Sequence, residues 1–194
     1  MKRDITLRYS NDLPGIPLQR EIEKFTLADR KALGCRFGEP CDPRQLIKFH
    51  DVTKILETYA SYNTHYGRSV QGEFEQRWSG VTLHINNGNY IIMINPDHSL
   101  SRRTFTIAHE FGHLVFNHQT VTITTQKSLE TRYSDEQELE AHSYGLALLL
   151  PYAPLLQIVR QGASVSSIAN HYGISMDAVA MRLKLTGLWK MCIP

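Results

Sequence analysis

The spacing of hydrophobic and polar positions divides the chain into helical and β segments. Hydrophobic residues recur at helical spacing over residues 17–33, and Asp42 followed by Pro43 is typical of a helix N-cap with a proline in the first turn. This pattern predicts that the first third of the chain is helical.

The pattern changes between residues 80 and 95, where the β-rich runs VTLHI and YIIMI flank the turn sequence NNGN. An Asn-Gly turn between such runs predicts a β-hairpin. Helical spacing returns over residues 101–118 and 135–150, and residues 153–189 predict a tail of short helices. The order of helices, hairpin and helices predicts an α+β fold with a small sheet.

Composition and charge narrow the class of protein. The 194 residues are 42% hydrophobic and 21% charged, as in a globular domain, and the net charge of +2 lacks the basic excess of a protein that binds nucleic acid. We find no secretory signal and no apolar run long enough to span a bilayer, so no membrane partner is expected. Three cysteines without a close pair, Cys35, Cys41 and Cys192, favour a reducing cytoplasm over a disulfide framework.

Candidate chemistry is concentrated in the pattern H-E-x-x-H at residues 109–113, within a predicted helix. On a helix His109 and His113 lie one turn apart on one face, so both imidazoles can bind one zinc ion. Glu110 lies roughly 100° round the helix and can act as a general base without being a ligand. A helix with two merely structural histidines is disfavoured, because apolar residues already occupy its opposite face.

A catalytic zinc ion needs a third protein ligand. In the longer metzincin pattern that ligand is a third histidine, but the corresponding position is Gln119. We therefore expect His118 to lie at the helix end or beside a ligand rather than on the metal.

The next predicted helix offers four further candidates: Glu136, Glu138, Glu140 and His142. Glu140 shares a helical stripe with the small residues Ser143 and Ala147, which would allow close approach of another helix. Glu136 lies one turn away on that stripe and remains an alternative. For Glu136 and Glu138 a solvated acidic helix start, stabilised by the helix dipole, is favoured.

Two segments carry a resemblance to a known family. RRTFTIAHEFGH, followed by EAHSYGLALLLP, resembles the motifs of the ImmA/IrrE family of zinc metallopeptidases between about residues 80 and 188. The matching positions are Arg102, Thr104, Ala108, His109, Glu110, Gly112 and His113 in the first motif and Glu140, Ala141, Leu148, Leu149 and Pro151 in the second. Tyr144, Gly145 and Leu150 depart from the second motif and leave the ligand position intact.

The resemblance implies a zincin-like core in which His109, His113 and Glu140 hold Zn²⁺, or Mn²⁺, and Glu110 is catalytic. A donor to the developing oxyanion is also expected, with His98, His118 and Tyr133 as candidates. We expect a metallopeptidase domain over residues 1–152, with a helical N-terminal part.

Residues 153–194 are expected to form a C-terminal helical segment packed on that domain. Within it, residues 165–184 predict a helix-turn-helix with Gly173 at the turn. Met176 and Asp177 start its second helix, where a DNA reader would carry basic or amide side chains, so protein docking or packing is favoured over DNA contact.

Two functions follow from the sequence. The first is a cytoplasmic zinc endopeptidase whose substrate, by the family resemblance, is a helix-turn-helix repressor. The alternative is a non-enzymatic DNA-binding or interaction protein with a structural metal site. Glu110 favours the enzyme, because a structural site needs no general base.

Overall fold

The computed structural model describes residues 13–69, 78–85, 88–119, 121–124 and 129–191, with the backbone alone over 121–124 and 129–132. The described helices are α1 (Pro17–Ala32), α2 (Tyr59–Tyr66), α3 (Leu100–Val115), α4 (Asp135–Leu149), α5 (Tyr152–Arg160), α6 (Val165–Tyr172) and α7 (Met176–Thr186), with 3₁₀ turns at Pro43–Lys48 and Leu188–Met191. The described strands are β1 (Val52–Leu56), β2 (Gly80–Ile85), β3 (Asn89–Ile94), β4 (Val121–Thr124) and β5 (Leu129–Arg132). The α+β fold class is thereby confirmed.

A three-stranded sheet has the order β1-β3-β2. β2 pairs antiparallel with β3, which confirms the predicted hairpin, although residues 86 and 87 of its turn lie outside the described residues. β1 pairs parallel with β3 and corrects the expectation that the first third of the chain is helical. This short strand forms because it pairs with the edge of β3 and because Val52 and Leu56 become buried.

Helices α3 and α4 follow the predicted boundaries within three residues. Ser99 caps α3, and Ser134 caps α4 in a capping box with Gln137. Apolar side chains on their inner faces, among them Phe111 of α3 and Leu148 of α4, are buried in one core. Burial of these faces fixes how the two helices rotate about their axes.

The contact between α3 and α4 is close enough to require glycine. A Cβ on Gly112 would lie 2.8 Å from the Ala141 Cα, and one on Gly145 would lie 3.1 Å from the His109 backbone nitrogen. The two helices therefore pack backbone against backbone, in a register that sets Ala141 on Gly112 and Gly145 on His109.

The C-terminal residues form short helices, as predicted, and α7 is anchored to the rest of the chain through Arg182. This completely buried guanidinium donates to the Leu150 carbonyl oxygen at 3.0 Å, to the Gln19 Oε1 at 3.1 Å and to the Glu23 carboxylate. The domain boundary at residue 152 and the helix-turn-helix assignment remain predictions. Within the described residues, no helix has both the length and the apolarity to cross a membrane.

Candidate metal centre and active site

Two helices bring together three side chains that could hold a metal ion. The Nε2 atoms of His109 and His113, one turn apart on α3, are 3.0 Å from each other. Glu138, on α4, places its Oε2 3.3 Å from the His109 Nε2 and its Oε1 3.8 Å from the His113 Nε2. Among the described residues these three form the group of ligand atoms close enough to share one ion.

The spacing and chemistry of these donors fit a zinc ion. Tetrahedral bonds of about 2.0–2.1 Å place neighbouring ligand atoms about 3.3 Å apart, within the observed range. Burial, together with the neighbouring His109, lowers the pKa of His113 to about 3, so its imidazole is neutral, the form that binds metal. The hydrogen bond from His109 lowers the pKa of Glu138 and favours its ionised carboxylate.

Glu140, the third ligand implied by the family resemblance, is not in this group. Its Oε2 instead lies 3.0 Å from the His118 Nε2. The reason is the face that α4 turns towards α3, which is centred on Ala141 and Gly145. At roughly 100° per residue, Glu138 lies about 40° from the centre of that face and Glu140 about 120° away.

The remaining sequence candidates on α4 are not part of this group of three, although His142 lines the same cleft. Ser143, on the stripe expected to meet α3, accepts a hydrogen bond from Gln19 of α1 at 2.9 Å instead. Glu136 is exposed at the start of the helix. The His142 ring packs edge-on against Phe105, with the ring centroids 4.8 Å apart.

Glu110 lies beside the metal-binding group without joining it. Glu110 is 5% exposed, and its Oε2 accepts a hydrogen bond of 2.7 Å from the Thr82 Oγ1 on β2. Burial raises the pKa of Glu110, while His109 and the Thr82 hydroxyl oppose that rise. Gly80 allows β2 to come this close, because a Cβ there would lie 2.5 Å from the Thr106 Cγ2. Such a carboxylate suits a proton acceptor.

A cleft of about 510 Å³ runs between β2 and α3. Residues that line it include Gly80, Thr82, His109, Glu110, His113 and Tyr133. The Tyr133 ring stacks on that of His113, with centroids 3.7 Å apart and planes at 15°. Burial, reinforced by Glu110 and Glu138, raises the pKa of Tyr133 to about 12, so its phenol keeps its proton.

The three candidate oxyanion donors differ in their position relative to the cleft. His118 has both ring nitrogens in contact with other side chains, His113 and Glu140. Of His98, His118 and Tyr133, it is Tyr133 that lines the cleft as described.

A helix with two histidines one turn apart, a glutamate from the next helix and an open cleft under the sheet edge define the zincin-like class of metal-dependent hydrolases. Residues 58–184 match the Peptidase_M78 family, described as the IrrE N-terminal-like domain. This match covers more than half of the chain, so the protein belongs to that family of metallopeptidases. The match confirms the ImmA/IrrE resemblance. Comparison with the curated proteins finds no match.

Proposed function

We propose that the protein is a zinc-dependent endopeptidase whose ion is held by His109, His113 and Glu138. The observation that carries this proposal is the grouping of these donors 3.0–3.8 Å apart, with Glu110 buried beside them. Glu138 takes the place of Glu140 as the proposed third ligand. Mn²⁺ is the alternative ion, since oxygen and imidazole donors suit it as well.

Glu110 and Tyr133 supply the protein's part of the chemistry. A zinc ion held by His109, His113 and Glu138 would supply Lewis acidity for polarising a peptide carbonyl and for acidifying water. Glu110, held by the Thr82 hydroxyl, accepts a proton from the attacking water and delivers it to the leaving amide nitrogen. The Tyr133 hydroxyl donates a hydrogen bond to the carbonyl oxygen as negative charge develops there. One water is consumed, and the C–N bond breaks to give a carboxylate and an amine.

The substrate we propose is a helix-turn-helix repressor in the cytoplasm. The family resemblance supports this choice, and so does the exposure of Met176 and Met181 on α7, since methionines form adaptable apolar contacts. The free thiols of Cys35 and Cys41 suit a reducing compartment. Direct DNA binding is disfavoured, because Arg182, a basic residue in the second helix of the predicted helix-turn-helix, is buried against Glu23.

A cleavage experiment tests the enzymatic function. Purified zinc-loaded protein is incubated with an extract of its host cell, and new peptide N-termini are identified by mass spectrometry. We expect N-termini in repressor chains that disappear with a chelator and with the Glu110→Gln variant. Equal cleavage by wild type and Glu110→Gln, or none by zinc-loaded wild type, would contradict the proposal.

A further inference from the structure

A chain of three side chains lies behind one of the proposed metal ligands. The His113 Nδ1 is 2.9 Å from the His118 Nδ1, and the His118 Nε2 is 3.0 Å from the Glu140 Oε2. The side chains of His113 and His118 are 2% and 4% exposed, so water competes little for the contact between the two rings, whereas the Glu140 side chain is 39% exposed. The chain of contacts joins the end of α3 to α4.

The backbone at the end of α3 positions His118 beneath His113. Asn117 adopts a left-handed conformation with φ 51°, which asparagine tolerates better than most residues. The His118 N–H then donates to the His113 carbonyl oxygen and the Asn117 N–H to that of Leu114, the two hydrogen bonds of a Schellman motif. The chain reversal therefore returns the His118 ring to the final turn of α3.

The proton positions on His113, His118 and Glu140 follow from which of these groups can donate a hydrogen bond. An ionised carboxylate only accepts, so the His118 Nε2 must carry the proton that is shared with Glu140. A neutral His118 then has a bare Nδ1, which accepts from the Nδ1–H of His113. That tautomer leaves the lone pair of His113 on Nε2, the atom that faces His109 and Glu138.

We propose that Glu140 and His118 are positioning residues that fix the tautomer and ring orientation of His113 for metal binding. The proposal rests on the proposed function insofar as His113 is a ligand. It assigns the two glutamates of α4 different roles, since Glu138 binds the ion and Glu140 acts through His118. Among the described residues, neither Glu140 nor His118 lines the cleft. The buried Nδ1 of His109 has no hydrogen-bond partner in the described part of the protein, in contrast to the Nδ1 of His113.

Zinc affinity, measured by competition with a chromophoric chelator, tests this positioning role of His118 and Glu140. Loss of a partner that orients a metal-binding histidine typically weakens affinity by about 10- to 100-fold. We expect that loss for His118→Phe, which removes the acceptor, and for Glu140→Leu. His118→Asn should recover most of the affinity, because its amide oxygen can replace the Nδ1 acceptor. Glu136→Leu, on the exposed end of the same helix, is the matched control and should bind zinc like wild type.

The outcomes separate failure of the positioning role from failure of the proposed metal site. Glu138→Gln should lose zinc binding altogether. If it does, but His118→Phe and Glu140→Leu bind zinc like wild type, the positioning role is wrong and the proposed metal site is retained. If Glu138→Gln keeps zinc and Glu140→Leu loses it, Glu140 is the ligand and both proposals fail.

A second measurement needs no variant and remains valid if a substitution impairs folding. Nitrogen-15 NMR of the histidine rings in zinc-free wild-type protein should show His113 with its proton on Nδ1. A dominant Nε2–H tautomer of His113 would overturn the proposal.

Discussion

Replacing Gly112 with alanine tests whether the close approach of α3 and α4 builds the metal site. The new Cβ would lie 2.8 Å from the Ala141 Cα and 2.9 Å from its carbonyl oxygen. Since carbon atoms in contact are about 3.5–4.0 Å apart, the helices must separate locally by about 0.7–1.2 Å. Glu138, one turn from Ala141, would move away from His109 by a similar distance. Ligand distances in a metal site tolerate only about 0.2 Å.

The expected result has two parts. Zinc affinity by chelator competition should fall at least about 10-fold, because three ligands no longer fit one ion. Overpacking should cost about 1–3 kcal/mol, which lowers the melting temperature of the metal-free protein by about 2–12 °C at this chain length. The matched control is Gly15→Ala, because nothing lies within 4 Å of a Cβ at that position. A Gly112→Ala variant with unchanged zinc affinity and melting temperature would refute the reasoning.

Four further predictions follow from the site and the core. Glu110→Gln should lower kcat by about 10²- to 10⁴-fold while zinc content stays complete, and normal turnover would exclude it as the base. Tyr133→Phe should lower kcat by about 10²- to 10³-fold with little change in zinc affinity, whereas an effect on KM alone would argue against oxyanion donation. Arg182→Met should cost about 3–5 kcal/mol in urea unfolding, because its buried carboxylate partner loses its counter-charge, and a loss below about 1 kcal/mol would show that this ion pair does not anchor α7. Burial lowers the pKa of His113 and His142 in the folded protein, so these histidines take up protons when the protein unfolds at low pH. The metal-free protein should therefore hold full stability above pH 6.5 and lose stability as the pH falls below that value. A flat stability profile between pH 8 and 5 would contradict this prediction.

The helices of the site could be predicted from local sequence. Apolar periodicity located α3 and α4, and the cap at Ser134 with Gln137 marks the start of α4. The two histidines of H-E-x-x-H had to share a face, because an α-helix turns roughly 100° per residue. Local periodicity therefore carried most of the information about the active-site helix.

Strand β1 could not be predicted in the same way. It has five residues, and it forms because Val52–Leu56 pairs in parallel with β3, more than thirty positions along the chain. Parallel pairing depends on a distant partner and leaves a weak local pattern.

The proposed third metal ligand, Glu138, could not be predicted from one helix at a time. The sequence placed Glu140 on a stripe of small residues, but which stripe meets α3 depends on how both helices rotate in the core. The available signal was the pair Ala141 and Gly145, four positions apart, which faces α3 around Gly112 and brings Glu138 with it. His118 lies past the end of α3, as expected, and contacts His113.

Diffraction from zinc-containing crystals at the zinc absorption edge tests the proposed metal site most directly. We predict one anomalous peak per chain, bonded at about 2.0–2.2 Å to the Nε2 atoms of His109 and His113 and to a Glu138 carboxylate oxygen. The Glu140 carboxylate should remain on the His118 Nε2. A peak bonded to Glu140 in place of Glu138, or no zinc at His109 and His113, would contradict the account.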